Sequence, residues 1–195
     1  MNILLFGGAF NPPHLGHHIV IEQAFELIPW IDELWIMPTY NHAFGKDLAP
    51  ASDRLAMCNL LARSLDSEIA KRVKVCSIEI DTQSSGSTYQ TLQLLKQKYP
   101  EHTFSFLMGS DQLPVFTKWN NWQQLLEEMH FYVYPRGSHR HDVTFPNMEL
   151  IESPTQVITN ISSTLIRERL SIHQSISRIM NPIITTYIQD HHLYE

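Results

Sequence analysis

Cysteine is scarce in this sequence of 195 residues. Cys58 and Cys76 both sit in apolar stretches and form no CxxC pair. That disfavours a disulfide scaffold or a thiolate zinc cluster and fits buried thiols in a reducing compartment. Positive charge is also in short supply. Fourteen Lys and Arg against 20 Asp and Glu leave a formal net charge of -6, which argues against a protein that coats duplex nucleic acid with a basic face. No apolar run, Asn2–Phe6 included, approaches the roughly 20 residues that span a bilayer. The first residues carry neither a basic n-region nor a small-residue cleavage site, so no signal peptide is expected. The expected setting is cytoplasmic, with no membrane and no nucleic acid as partner. Internal repeats and low-complexity tracts are missing too. What is present is a 43% hydrophobic content with 17% charge, enough for a core and too little charge for a disordered chain. At roughly 150 residues per domain, the length predicts one domain.

Short apolar runs alternate with helix-period segments. Asn2–Gly7 reads as a strand buried on both faces. His17–Ile28 places Val20, Ala24, Leu27 and Ile28 at helical spacing before Pro29. Glu33–Met37 reads as a second strand, and Ser52 as the cap of a helix to about Ser64. Val73–Ile80 is strand-like. Ser87 and Gln90 fit a capping box for a helix that turns Leu92, Leu95 and Tyr99 inward. Thr103–Met108 and Phe131–Tyr134 are further strands, with a helix over Trp119–Met129 between them. Gly137–Asn147 reads as a mobile surface loop, and Met148–Ile151 and Gln156–Thr159 as short strands. Ser162 or Ser163 caps a helix through Leu170, and Asn181-Pro182 opens a last one with Ile183, Ile184, Tyr187 and Ile188 on one side. This alternation predicts a doubly wound α/β fold with a mostly parallel sheet. Ligands of such sheets bind beyond the carboxyl ends of the strands, so the residues just after each strand carry the functional signal.

The strongest signal is Gly7-Gly-Ala-Phe-Asn-Pro-Pro-His-Leu-Gly-His17, between a strand and a helix. Glycines let backbone approach a ligand closely. His14 and His17 flank Gly16 at the helix start, where imidazole donors add to an N-terminus already suited to phosphate. A second signal is Ile161-Ser-Ser-Thr-Leu-Ile-Arg167. Small hydroxyl residues at a helix start supply donors to an anion, and Arg167 one turn later offers a planar fork for phosphate oxygens. Asp111, after the strand ending at Met108, is placed to accept from ribose hydroxyls or simply to serve a turn. Trp119 is placed to stack on a flat ring or to lie under the following helix, and Trp122 reads as core. Thr88 heads a helix whose free N–H groups suit an anion or plain capping. His139, His141, His191 and His192 read as surface residues, and no carboxylate or thiol joins them into a metal site.

Gly8-Ala-Phe-Asn-Pro-Pro-His-Leu-Gly-His17 resembles the GTFDPxHxGH motif of the nucleotidyltransferase superfamily, and Ile161–Arg167 resembles its ISSTxxR motif, in the expected order. Gly109-Ser-Asp-Gln-Leu113 is similar to the G-x-D segment of that superfamily. Phe116-Thr-Lys-Trp119 and Tyr187–Tyr194 are similar to segments of the nicotinate-nucleotide adenylyltransferases. The resemblance spans nearly the whole chain. It implies a Rossmann-like nucleotidyltransferase fold in a single domain over 1–195, with the second motif and closing helix in 161–195. It also implies adenylyl transfer from ATP to a pyridine mononucleotide, nicotinate mononucleotide before its amide, in NAD biosynthesis. By the same resemblance His14, His17 and Arg167 are catalytic. ATP is bound by Gly8, Ala9, Phe10, Gly16, His17, Gly109, Asp111, Ile161, Ser162, Ser163 and Arg167. The acceptor is bound by Lys46, Thr88 and Trp119. Mg²⁺ arrives with ATP, held by phosphates and water with no dedicated protein ligands, and an oligomer is left open. Transfer to another phosphorylated acceptor such as phosphopantetheine, or a regulator that binds nucleotide without turnover, is the alternative. The chain departs from the family pattern at Ala9 for Thr, at Asn11 for Asp, and at Tyr40–Lys46, where a Pro-Pro-His-Lys element is usual.

Overall fold

The computed structural model describes residues 1–41, 48–84, 87–137 and 143–194. Strand β1 (Asn2–Gly8) buries Ile3 to Phe6 without a break, as a strand covered on both faces must. Leu4 and Phe6 point into one core, Ile3 and Leu5 into the other. β1 pairs in parallel with β2 (Glu33–Pro38) on one side and with β4 (Thr103–Gly109) on the other, so that Leu5 lies between Trp35 and Phe106. β3 (Val73–Val75), β5 (His130–Tyr134) and β6 (Met148–Leu150) complete a sheet in the order β3-β2-β1-β4-β5-β6. Every pairing is parallel, as expected for a doubly wound sheet.

Helices α1 (Leu15–Leu27), α2 (Ala51–Arg63), α7 (Ser163–Ser171) and α8 (Pro182–Asp190) supply residues to the Leu4 face, while α5 (Thr88–Lys98) and α6 (Trp122–Glu128) cover the Leu5 face. Two short helices, α3 (Ser67–Ala70) and α4 (Ile78–Asp81), flank β3. Order reverses between β1 and β4, whose connections leave in opposite directions. The crevice at their carboxyl ends is where such sheets take ligands.

Several local expectations are corrected. The strand predicted over 73–80 stops at Val75, and the chain folds into α4. Beyond Val75 only Cys76 N–H still reaches β2, at Ile36, while the Ser77 hydroxyl donates to Asp81 and supports a turn. Gln156–Thr159 forms no strand: side chains take the peptide groups of Val157. The helix predicted from Trp119 begins at Trp122, because a 3-10 stretch holding Pro114 spans Ser110–Lys118 and Asn121 adopts a left-handed backbone. Pro50, rather than Ser52, precedes α2. Ser87 caps α5 without a side-chain bond, its carbonyl accepting instead from the Thr91 hydroxyl. Ile183 is 48% exposed, so α8 rests on Ile184 and Ile188. Of the loop predicted over Gly137–Asn147, residues 138–142 lie outside the described residues, as does Lys46. Among the described residues, no helix is long and apolar enough to cross a membrane.

Candidate active site

Beyond Gly8 the chain runs through Asn11-Pro12-Pro13 and enters α1 with His14 as its N-cap. The His14 backbone N–H donates to Nδ1 of His17 at 3.1 Å. That bond fixes the tautomer of His17 and leaves the proton on Nε2 as a donor. The two imidazoles pack against each other at a tilt of 30°, with centroids 3.7 Å apart. The Phe10 ring closes on His17 at 4.8 Å and on Phe6 at 5.5 Å. Phe10 holds a φ of +46°, unusual for a residue with a side chain. Gly16 explains the HxGH spacing: a Cβ there would stand 2.9 Å from the His14 ring, so only glycine leaves that ring in place.

Both imidazoles are held neutral. Burial, and then the charge of Arg136, bring His14 down to about 3. Burial, then His14 and Arg136, hold His17 well below the usual histidine range. Neither ring nitrogen of His14, a residue only 3% exposed, has a hydrogen-bond partner among the described residues. Buried polar groups seldom go unmet, so this ring is prepared for something outside the chain.

The neutral state of His14 has a measurable consequence. Between pH 6.5 and about 3 the unfolded chain binds a proton that folded His14 refuses. Stability therefore falls as pH drops through that window. Chemical unfolding at about pH 7.5 and about pH 5 should show a larger loss for wild type than for His14→Asn. Equal losses would show that His14 does not couple folding to protonation.

The second motif closes on the first. Ser162 caps α7, its hydroxyl accepting from the Leu165 N–H. The Ser163 hydroxyl donates to the Pro12 carbonyl at 2.7 Å. Arg167 donates through Nη1 to the Asn11 carbonyl at 2.7 Å and through Nη2 to the Thr164 hydroxyl at 3.4 Å. Two helix N-termini, two imidazoles and a guanidinium thus converge on one place.

They line a cleft of about 870 Å³ at the switch point. Gly8, Ala9, Phe10, His14, Gly16, His17, Gly109, Asp111, Ile161, Ser162, Ser163 and Arg167 all border it, and so do Thr88 and Trp119 on the opposite side. Trp119 is half-buried, its ring against Phe106 at 5.8 Å and Phe116 at 5.3 Å. Trp122 packs against the core, as expected.

Three residues of the site escaped sequence reasoning. Arg136, two positions beyond β5, donates to the Ile161 carbonyl at 2.9 Å and stands 3.7 Å from Asp111. Its backbone N–H donates to the Ser110 hydroxyl. Gly109 is needed here, since a Cβ would fall 2.3 Å from the Asp111 carboxylate and 3.3 Å from Arg136 Cδ. Arg136 could have been found as a lone cation just past a strand end. Arg54 on α2 is 1% exposed. It donates to the carbonyls of Ala9, Thr39, Tyr40 and Ala49, which ties the first motif to the chain after β2. Glu79 on α4 borders the cleft and accepts from the Thr91 hydroxyl at 3.0 Å. Burial pushes its carboxyl up, against the smaller opposing pull of its hydrogen bonds and Arg54. Neither residue has a local pattern that marks it.

The profile of the cytidylyltransferase-like family matches residues 5–169. A protein of Anaeromyxobacter sp. (strain K), described as a probable nicotinate-nucleotide adenylyltransferase, is 34% identical, with 98% of this chain and 96% of the relative covered. One of Oceanobacillus iheyensis with the same description is 31% identical, with 97% and 95% covered. The chain belongs to the nicotinate-nucleotide adenylyltransferase family. Among solved structures, the nicotinic acid mononucleotide adenylyltransferase of Plasmodium falciparum complexed with NaAD superposes with a TM-score of 0.86 at 27% identity, covering 99% of this chain and 97% of that one. The same enzyme complexed with APC gives 0.82 at 25% identity, covering 99% and 96%. The two paired motifs that define this adenylyltransferase site are therefore set on the fold of the family.

Proposed function

We propose that this protein joins ATP and nicotinate mononucleotide into nicotinate adenine dinucleotide and pyrophosphate. The observation that carries this reading is the closure of the two motifs on each other, through Ser163 to Pro12 and Arg167 to Asn11, over the cleft between β1 and β4. A phosphate oxygen of the mononucleotide attacks the α-phosphorus of ATP in line. The bond from that phosphorus to the bridging oxygen of the β-phosphate breaks, and pyrophosphate leaves with the electron pair. No covalent intermediate on the protein is required. Catalysis is positioning plus offset of charge on the transferring group.

In this reading His17, through Nε2–H, and His14 donate to phosphate oxygens as charge builds. The N-termini of α1 and α7 face the same oxygens. Arg167 holds the departing pyrophosphate, and Arg136 adds a second cation that sequence reasoning did not supply. Gly8, Ala9, Phe10 and Gly16 let the backbone and nucleotide come close. Gly109 and Asp111 border the ribose, and Ile161, Ser162 and Ser163 border the base and phosphates. Mg²⁺ would arrive as an ion carried by ATP. Once bound with the nucleotide, it would offset charge on the oxygens of the transferring group.

The acceptor lies on the Thr88 and Trp119 side, with Lys46 as a further phosphate contact. A carboxylate wants donors only, and the first N–H groups of α5, at Thr88 and Tyr89, have no partner within the helix itself. Trp119 stacks on the pyridine ring without sensing its substituent. A carboxamide would set donor against donor, at about 1–3 kcal/mol or about 5- to 150-fold. Pyrophosphate release with ATP and Mg²⁺ should therefore show a higher kcat/KM for nicotinate mononucleotide than for the amide. Equal values, or the reverse order, would defeat the acceptor assignment; no release with either would defeat the proposed function.

A further inference from the structure

The segment between β6 and α7 forms one wall of the cleft with no regular secondary structure from 156 to 162. It is pinned at two points. At Ile161 the carbonyl accepts from Arg136. At Val157 both peptide groups are taken: the N–H donates to Gln23 Oε1 at 3.1 Å, and the carbonyl lies 2.7 Å from the Tyr134 hydroxyl. Its single proton goes to that carbonyl or to Gln23 Oε1, which is 2.8 Å away. Tyr134 and Gln23 are 4% and 8% exposed. The three residues make a hydrogen-bonded cluster that joins the end of β5, the middle of α1 and the wall. None of it serves the phosphates.

Between the two pins, the backbone groups of Ile158, Thr159 and Asn160 have no partner among the described residues. Of these, Thr159 and Asn160 border the cleft, which the apolar side chains of Ile19 and Val20 also line. The wall runs directly into Ser162 and the N-terminus of α7, the phosphate end of the cleft. A cleft with apolar side chains and a row of unmet donors and acceptors suits a flat heterocycle with a polar edge.

We infer that Tyr134 and Gln23 are positioning residues for nucleobase selectivity: by fixing both peptide groups of Val157, they set the register in which the 158–160 backbone meets the edge of the ATP base. Purines with an amino group and with a carbonyl at the same ring position present opposite polarity there. A backbone held in one register accepts one and opposes the other, since an unmet polar group is costly while a net bond gained is modest. A backbone free to slide discriminates less. The proposal rests on ATP as the nucleotide bound at the two motifs.

The test uses the whole protein with Tyr134→Phe, Gln23→Leu and Gln23→Glu. Initial rates and equilibrium binding are measured with ATP and with GTP. Tyr134→Phe and Gln23→Leu should raise KM and Kd for ATP by about tenfold, the scale of one hydrogen bond lost. They should leave kcat within about twofold and shrink the ATP-over-GTP ratio about tenfold, with no change in KM for the mononucleotide. Gln23→Glu keeps an acceptor oxygen for the Val157 N–H and should retain most of the wild-type ratio. An unchanged ratio in both Tyr134→Phe and Gln23→Leu, with equal losses for ATP and GTP, is what a merely structural role predicts and overturns the proposal. So does a wild type that binds GTP as tightly as ATP. A wild type that binds ATP selectively yet releases no pyrophosphate overturns the acceptor reading alone, and the binding ratios still decide this one.

Discussion

Replacing His17 with alanine is expected to lower kcat by about 100- to 1000-fold, the usual cost of removing one preorganised donor to a developing anion. The reason lies in how its ring is held. Nδ1 is occupied by the His14 N–H at 3.1 Å, so Nε2 keeps its proton and has one direction in which to donate. Phe10 and His14 sandwich the ring, which removes rotamer freedom before substrate arrives. Because the imidazole is held neutral, its contribution is a directed dipole, and it needs no proton uptake to act. The fold should survive, since His17 is half-buried and its ring meets the core only at Phe6 and Phe10. Steady-state kinetics with a circular dichroism melt make the check. A variant that keeps more than about half of wild-type kcat takes His17 out of the chemistry.

Arg167→Ala is expected to lower kcat/KM for ATP by about 100-fold or more, since hydrogen bonds to a charged group contribute about 1.5–3 kcal/mol each. Arg167→Lys should recover only part of this. One donor of the guanidinium is committed to Asn11 and another to Thr164; the remaining ones are available to phosphate. An ammonium cannot hold the Asn11 carbonyl and present a fork to phosphate together. The two variants divide the role: loss shared equally by alanine and lysine marks bidentate geometry, while full recovery by lysine would show that a point charge is enough. A melting temperature measured alongside separates the tie to Asn11 from the contact with nucleotide.

What the sequence made legible was local. The two motifs were recognisable because each is a short run in which spacing itself carries the physics: His14 and His17 straddle a glycine that must lack a Cβ, and Ser162 caps a helix one turn before Arg167. The strands Asn2–Gly8, Glu33–Pro38 and Thr103–Gly109 were legible because burial on both faces writes a continuous apolar run. Arg54, Glu79, Arg136, Gln23 and Tyr134 were not, for they act through partners far away in the chain, and nothing in their neighbours announces a buried cation or a buried amide. Val157 and Ile158 misled in the opposite sense. They are β-branched, yet side chains from α1 and β5 take the Val157 peptide groups that a strand partner would have used. At 76–81 apolar alternation suggested a strand continuing, where the chain instead turned and put Glu79 at the edge of the cleft.

The bonds that close the site reach across nearly the whole chain. Ser163 to Pro12 spans 151 residues, Arg167 to Asn11 spans 156, and Tyr194, whose hydroxyl donates to the Asn11 side chain at 2.8 Å, spans 183. Contacts of such long range carry the greatest loop-closure entropy and tend to come late in folding. A nascent chain that has released the first motif therefore holds no finished phosphate pocket until α7 and the tyrosine after α8 have emerged. The same wiring makes nucleotide a clamp on the folded state as a whole. A ligand gripped by both motifs cannot stay bound while either end of the chain detaches, so its free energy of binding adds to resistance against global unfolding.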